Sequence, residues 1–435
     1  MEAPETVASE AAPEVPAASG PRGSLLRERN FRVFFIGQLI SNCGTFLQSV
    51  SQGVLVYQLS GRNNFMVGVT QAAVFLPVLL LSLTGGSLAD RFDRRGLLIA
   101  SQVLAMVATG TLAIVVTTGN ASVGLVIAVA ALVGVQYAVA IPTSQALLPA
   151  FVEPRRLGEA IGLNSVTFNV ARVIGPALST ALLAAAGFGL AFGLNSLSFL
   201  ALIGALAMIT FRRPTRAGGE SRSVKEALAY AWSRPRVRML LLGALTLALA
   251  VDPLTTLAPA IANEVFGQPR SQAGLILAAF GFGSMSAAFL FVRLLRAESS
   301  VRYRLLPWLM ALFAVGVMGF VWMPVFGLGL LVLALGGLGF LTSTTTLVTG
   351  LQEEVAEAMR GRIMGIWTLC ALGSRPIAAL IDGAIADLAG PRVAVFVIAL
   401  PLLFTAILVM PRLRRAPGRG AGLADGVVPG GVPGA

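Results

Sequence analysis

The stretch Gly86-Ser87-Leu88-Ala89-Asp90-Arg91-Phe92-Asp93-Arg94-Arg95 is a short charged segment between two long apolar runs. Glycine at the first position allows two helices to approach closely, and an aspartate can cap or pair across a helix end. Arginines hold such a turn at an anionic membrane surface. We therefore interpret the segment as a hinge between two membrane helices. The residues assigned to this gating motif are Gly86, Asp90, Arg91, Arg94 and Arg95.

The composition of the whole chain indicates the same class. Of its 435 residues, 56% are hydrophobic and only 12% are charged, which a soluble domain could not bury. The apolar blocks run unbroken for about 20 residues, whereas barrel strands alternate over ~10 residues. We predict an all-α membrane protein with transmembrane helices near 31–57, 65–89, 96–118, 121–147, 158–186, 190–211, 237–262, 271–293, 304–323, 325–349, 361–387 and 390–411.

The positive charges predict the orientation of these helices. The net charge is +12, and all but five of the 32 Lys and Arg residues fall in the tails and loops of one side. By the positive-inside rule that side, with both termini, is cytoplasmic. The basic residues thus indicate topology in a lipid bilayer, and we expect no nucleic-acid partner. A multi-pass protein of the plasma (inner) membrane, of bacterial type, is predicted.

The order of the helices predicts two halves. A polar connection separates them six and six, and shifting the sequence by 203 residues places Arg172 on Arg375 and Gly162 on Gly365. The tails are rich in Pro with Ala and Glu or with Gly, which is typical of disorder. The predicted organisation is a disordered tail at 1–24, a bundle at 25–211, a cytoplasmic linker at 212–236, a bundle at 237–411 and a disordered tail at 412–435.

The charged hinge resembles the loop between helices 2 and 3 of the major facilitator superfamily. Its pattern, glycine, any residue, Leu-Ala-Asp-Arg, any residue, Gly-Arg-Arg/Lys, is met everywhere except at Asp93. The stretches 25–32 and 360–365 resemble the branch that contains macrolide efflux proteins and siderophore exporters. The resemblance implies two pseudo-symmetric six-helix bundles that work by alternating access. Helix 5 carries Gly175 and Pro176 of the drug antiporters' kink motif, but Ala171 replaces its first glycine.

Four charged residues lie inside apolar stretches, where each charge costs at least ~2.5–3.5 kcal/mol unless it faces water or a partner. Arg172, Asp252 and Arg375 lie near the middle depth. Asp252 is either a proton-coupling carboxylate or the permanent partner of Arg375. Asp382 lies nearer the outer face, either solvated or coupling. Arg172 either serves substrate and coupling or is satisfied by Asn169 or a backbone carbonyl.

Uncharged polar residues mark a possible pathway. Gln48 and Gln52 belong to a polar stripe on helix 1, and the resemblance implies that helices 1, 4, 7 and 10 line the central cavity. Trp367, Phe168 and Phe280 could supply apolar walls. The alternative for the polar groups is interhelical hydrogen bonding, worth about 0.6 kcal/mol each, and for the rings it is packing.

These observations favour a transporter and exclude several other classes. The chain has no histidine and no cluster of Cys or carboxylates at ligand spacing, so we expect no enzyme, no cofactor and no metal site. We predict a monomeric secondary transporter that exports small amphipathic molecules, such as drugs, siderophores or other natural products, by proton antiport. The alternatives are an importer or facilitator of a small metabolite and a non-transporting membrane receptor or assembly protein.

Overall fold

The computed structural model describes residues 24–91, 93–209, 224–290 and 299–414, and these are almost entirely helical. The first half holds α1 (Arg29–Leu59), α2 (Asn64–Arg91), α3 (Arg94–Thr117), α4 (Val123–Leu147), α5 (Leu157–Ala185) and α6 (Gly187–Met208). The second holds α7 (from Pro235–Val251 to Ile261–Val265), α8 (Ala273–Leu290), α9 (Ser299–Phe320), α10 (Phe326–Glu354), α11 (from Glu357–Thr368 to Arg375–Ala389) and α12 (from Pro391–Phe404 to Met410–Arg414).

Long apolar runs fold as helices because a bilayer offers no partner for backbone N–H and C=O groups, which a helix satisfies internally. Among the described residues, 11 helices are long and apolar enough to cross a membrane. The remaining one, α8, has 18 residues and lies between α5 and α10. The prediction of twelve membrane helices is confirmed, whereas the cytoplasmic position of the termini stays a prediction.

The helices pack as two sets of six. In the first set α1 contacts α5 and α6, α3 contacts α4 and α6, and α2 lies against α4. In the second set α10 contacts α8 and α9, while α12 packs against α7, α9 and α11. The sets meet mainly along two helix pairs, α2 with α11 and α5 with α8. Two pseudo-symmetric six-helix bundles, as predicted, are the architecture of the protein.

A short helix, Val224–Ser233, precedes the second bundle and falls within the predicted linker. It packs against the first segment of α11, where Glu226 pairs with Arg362. The tails predicted to be disordered fall mostly at 1–23 and 415–435, outside the described residues. The domain boundaries themselves stay a prediction.

Two helices of the second bundle are interrupted at the middle of the membrane. α7 breaks at Asp252, because Pro253 starts a new turn and has no N–H to donate, and α7 ends in the π-helical Ile261–Val265. α11 contains the π-helical segment Leu369–Gly373 directly before Arg375. The membrane helix predicted near 237–262 is present, as a series of consecutive helical segments from Pro235 to Val265. Such π segments often occur at functional sites.

Among the described residues, several hydrogen bonds join the two bundles at one end. We call the end that carries residues 60–63 the distal end, and the end at which α1 begins the proximal end. Distally, the Asp387 carboxylate accepts the N–H groups of Asn64 (2.8 Å) and Phe65 (2.9 Å), which links α11 to α2. Tyr57 donates its hydroxyl to Glu264, which links α1 to α7. At the proximal end, Arg156 pairs with Glu28 (2.5 Å) within the first bundle, and Arg236 pairs with Glu354 (2.6 Å) within the second.

Candidate transport site

Asp252 and Arg375 form an ion pair between α7 and α11. The Nε of Arg375 donates to one carboxylate oxygen of Asp252 at 3.0 Å, and a terminal nitrogen donates to the Thr255 hydroxyl at 3.1 Å. The second Asp252 oxygen accepts the hydroxyl of Thr256 at 3.0 Å. The Asp252 side chain is 1% exposed. Asp252, Thr255 and Thr256 lie on one turn at the break in α7. Both carboxylate oxygens of Asp252 are therefore hydrogen bonded.

The guanidinium of Arg375 also lies over the ring of Phe75 in α2, with 4.1 Å to the ring centroid. The contact crosses from one bundle to the other, because α2 belongs to the first. A cation above an aromatic face is attracted to it, by about 0.5–2 kcal/mol depending on solvation. Arg375 therefore connects α2, α7 and α11.

Asp382 lies in the same helix as Arg375, two turns further on, and is completely buried. Neither of its carboxylate oxygens has a hydrogen-bond partner. The expectation that Asp382 is solvated is therefore wrong. Packing of α2 against this face of α11 excludes water, and the sequence of α11 gave no sign of that contact.

Arg172 lies in α5 at the position that the 203-residue repeat equates with Arg375, but its surroundings differ. Its guanidinium lies over three aromatic rings, those of Phe168 (4.9 Å), Phe280 (5.9 Å) and Phe340 (5.8 Å). Within the described ranges, no carboxylate is in ion-pair contact with it. Asn169 is not its partner either, because the Asn169 amide donates to the Ser165 carbonyl at 2.8 Å. Arg172 is thus a half-buried cation in an aromatic setting.

A cavity of about 360 Å³ lies one turn away, in the proximal half between α5, α8 and α10. Asn169 and Ser165 line it from α5, Met285 from α8, and Thr342 and Thr345 from α10. Its walls mix uncharged polar groups with apolar ones, which suits a cargo that carries both. The bundles are therefore apart here, whereas α5 and α8 touch at the distal half.

Gln48 and Gln52 do not face this cavity. The Gln48 amide donates to Gln52 at 3.2 Å, and its oxygen accepts the Thr109 hydroxyl at 2.9 Å and the Asn195 amide. This cluster is buried between α1, α3 and α6, inside the first bundle. The hydrogen bonds are those of the interhelical alternative. A role of the two glutamines in the pathway stays a prediction without a contact to support it.

The aromatic residues predicted as cavity walls are placed differently from one another. Phe280 is buried against Phe313 and Phe340, with centroids 5.8 and 5.1 Å apart. Phe168 is 45% exposed and meets Phe46 of α1 edge-on at 5.1 Å. Trp367 packs at the margin of the core of the second bundle. Only Phe168 and Phe280 come together, around Arg172.

The gating motif is described in part. The backbone of α2 continues to Arg91, whereas the surroundings of Gly86 and the side chains of Asp90 and Arg91 lie outside what the structure describes. Arg94 donates to the Ala146 carbonyl at the end of α4 (3.1 Å), and Arg95 donates to the Ala207 carbonyl at the end of α6 (2.9 Å). Cations at helix C-termini are favoured by the exposed carbonyls. Both arginines therefore contact helix ends of the first bundle.

Asp93, the one departure from the family's hinge pattern, has a local role. Its carboxylate accepts the N–H of Gly96 at 2.8 Å and so caps the beginning of α3. The predicted kink residues Gly175 and Pro176 lie within the single helix α5. A Cβ at Gly175 would lie 2.7 Å from the Cys43 carbonyl oxygen, so the glycine lets α5 approach α1.

The sequence did not predict two sets of contacts. The distal links Tyr57–Glu264 and Asp387–Asn64 join residues more than 200 positions apart, and nothing in their local patterns pairs them. Phe75 and Phe340, the rings beside the two arginines, look like ordinary core residues in sequence. A phenylalanine at the same sequence distance from Arg172 and from Arg375 would have been the only signal for these rings. The 203-residue repeat does not show one.

Twelve helices in two related bundles, with charged groups inside the helices that join the bundles, define a membrane transporter of the major facilitator type. The sequence profile of the family described as transmembrane secretion effector matches residues 23–419, and the chain belongs to this family. It is a multi-pass protein of the bacterial inner membrane and a transporter, not an enzyme.

Similar proteins share most of the length of the chain. It is 26% identical over 386 residues to the enterobactin exporter EntS of Citrobacter koseri, covering 87% of this chain and 91% of that protein. The enterobactin exporter EntS of Escherichia coli O127:H6 is 26% identical over 398 residues, covering 88% and 92%. This similarity supports the predicted resemblance to siderophore exporters.

Solved structures share the fold at low identity. A bacterial homolog of the human lysosomal transporter Spinster superimposes with a TM-score of 0.68 at 14% identity, covering 90% of this chain and 98% of its own. A bacterial homologue of the iron transporter ferroportin gives 0.64 at 17% identity, covering 88% and 100%. These two likenesses concern the fold alone.

Proposed function

We propose that the protein exports small amphipathic molecules across the inner membrane by proton antiport, through alternating access. The observation that carries the proposal is the difference between the two repeat-related arginines. Arg375 is neutralised by Asp252, whereas Arg172 lies among aromatic rings with no carboxylate in contact in the described part of the chain. A half-buried cation in apolar surroundings favours a ligand that brings an anionic or strongly polar group and a ring.

The arrangement of the bundles supports a route for such a cargo. The cavity beside Asn169 lies in the proximal half, which the positive-inside rule predicts to face the cytoplasm. The distal links have to break before the cargo can leave on the other side. Relatives named as enterobactin exporters support outward movement of a cargo.

Coupling requires that the proton and the cargo each favour one of the two states. The Asp252–Arg375 pair joins α7 to α11 and, through Phe75, reaches α2 of the other bundle. A change of charge in this network alters contacts on both sides of the bundle interface. We therefore assign coupling to this network and cargo binding to the surroundings of Arg172.

The test is proton movement in energised inside-out vesicles that contain the full chain, followed with a pH-gradient dye while enterobactin, a macrolide and a cationic dye are added in turn. We expect at least one compound to collapse the gradient with the wild type and to lose most of that effect with Arg172→Ala. Arg155→Ala, which removes an exposed arginine at the proximal end, is the matched control. Export is contradicted if no compound acts while intact cells take up a labelled carboxylate faster than control cells.

A further inference from the structure

Asp382 is the one carboxylate of the described residues that is both fully buried and without a hydrogen bond on either oxygen. It follows Arg375 by seven residues, which places both on similar faces of α11. The ion pair between Asp252 and Arg375 does not include Asp382 as a hydrogen-bond partner. A group of this kind is costly to bury, so its presence needs a physical reason.

The charged groups around Asp382 leave one negative charge uncompensated. Asp252 and Arg375 interact electrostatically with it. Arg375 already donates to Asp252 and Thr255. The facing residues 64–81 of α2 carry no charge, and Arg392 of α12 donates to the Val321 carbonyl. The single arginine near these two carboxyl groups therefore donates to Asp252 and not to Asp382.

An ionised carboxylate buried without a partner costs far more than a neutral carboxyl group in the same place. Two neighbouring carboxyl groups in an apolar site accordingly share one negative charge. We infer that Asp382 holds a proton in the conformation with the closed distal end, while Asp252 stays ionised beside Arg375. In this way Asp382 becomes the proton-binding residue of the antiport, and this last step rests on the proposed function.

The place of Asp382 in the helix interface connects its proton to the conformational change. Its neighbour Gly383 packs on the beginning of α2, where an added Cβ would lie 2.6 Å from the Asn64 carbonyl oxygen. One turn before it, Ala379 lies against Gly68 of α2. Separation of α2 from α11 at the distal end thus exposes Asp382 to the distal solution, from which an ionised carboxylate takes up one proton before the two helices close again. For antiport, the same proton leaves toward the proximal side when cargo binds there.

Infrared spectroscopy of the purified full-length protein in lipid tests the inference directly. In sodium-free buffer at neutral pH we expect the carbonyl stretching band of a protonated carboxylic acid. The band should be absent from Asp382→Asn and from Asp382→Leu, and it should weaken in Asp252→Asn, because Arg375 is then free to stabilise an ionised Asp382. Glu357→Gln is the matched control from the same helix, because Glu357 is exposed at its proximal end, away from the contact between α2 and α11.

The inference is overturned if the wild type shows no such band, if the band survives in both Asp382 variants, or if sodium chloride removes it from the wild type. The last result would assign the carboxylate to a sodium ion. Both substitutions are neutral and similar in size to the protonated acid, so failure of both variants to fold would also contradict a neutral Asp382.

The transport role has its own readout in the vesicle assay described above. Asp382→Asn should lose at least tenfold of the gradient-driven movement of enterobactin, the macrolide or the dye, while exchange of the same compound without a gradient continues. If gradient-driven movement is unchanged, Asp382 is not the coupling residue. If the wild type moves none of the three compounds, the proposed function fails, and the infrared band still decides whether Asp382 holds a proton.

Discussion

Replacement of Gly383 by alanine should open the distal end of the protein. The added Cβ would lie 2.6 Å from the Asn64 carbonyl oxygen and 2.7 Å from the Phe65 Cα, both of them backbone atoms of α2. Ordinary contact begins at 3.4 Å, so α2 and α11 must separate by somewhat less than about 1 Å. Overpacking of this size costs about 1–3 kcal/mol.

That cost falls only on the state in which the two helices touch. A difference of about 1–3 kcal/mol between the closed and open distal end shifts their ratio about 5- to 150-fold toward the open state. The contact recurs at Gly68, whose Cβ would collide with the Ala379 carbonyl oxygen. We therefore expect Gly68→Ala to act in the same direction.

The assay is the distance between spin labels at Arg62 and Leu388, two exposed distal positions in different bundles, with Cys43 and Cys370 replaced by serine. Gly383→Ala should add or enlarge a population with a longer distance. Gly365→Ala is the control, because Gly365 also lies in α11 and a Cβ added there would contact nothing. Unchanged distances in Gly383→Ala would refute the argument that this glycine sets the closed state.

Three further predictions concern other contacts. Asp252→Asn removes the hydrogen-bonded partner of Arg375, leaves Asp382 as the nearby carboxyl group and should lower the free energy of unfolding by up to about 3–5 kcal/mol, with partial recovery when Arg375 is also made Met; thermal unfolding in lipid measures this. Asp387→Asn weakens two charge-assisted bonds of about 1.5–3 kcal/mol each and should raise labelling of a distal cysteine by a membrane-impermeant thiol reagent. Gln48→Leu should cost about 1–3 kcal/mol of stability but leave the relative rates for different cargoes unchanged, and a changed preference would place Gln48 in the pathway.

Local patterns were sufficient for the helices and for the residues that are costly in a membrane. The repeat identified Arg172 and Arg375 as equivalent, and they lie in α5 and α11, the fifth helix of each bundle. The interruption of α7 also had a local signal in Pro253, although its consequence for the shape of the helix was not predicted. These features depend on the type of residue and its neighbours in the chain.

The partners of those residues could not be predicted in the same way. The position of Asp382 toward one end of its helix left solvation or coupling open, and the packing of α2 buries the residue. The stripe that contains Gln48 was periodic as predicted, but periodicity does not say which neighbouring helix the polar face meets. In the structure Gln48 bonds to both α3 and α6 and does not face the cavity.

The sequence by itself determined a membrane protein of twelve helices in two related halves, with four charged residues inside apolar stretches and three of them near the middle depth. This is because transfer into lipid depends on the composition of each segment. Only the tertiary structure decided that Arg375 pairs with Asp252 and that Arg172 lies among aromatic rings. The packing of α2 on α11, which buries Asp382, and the links at the distal end were likewise decided there. Those outcomes depend on contacts between helices hundreds of residues apart, whose geometry no local pattern specifies.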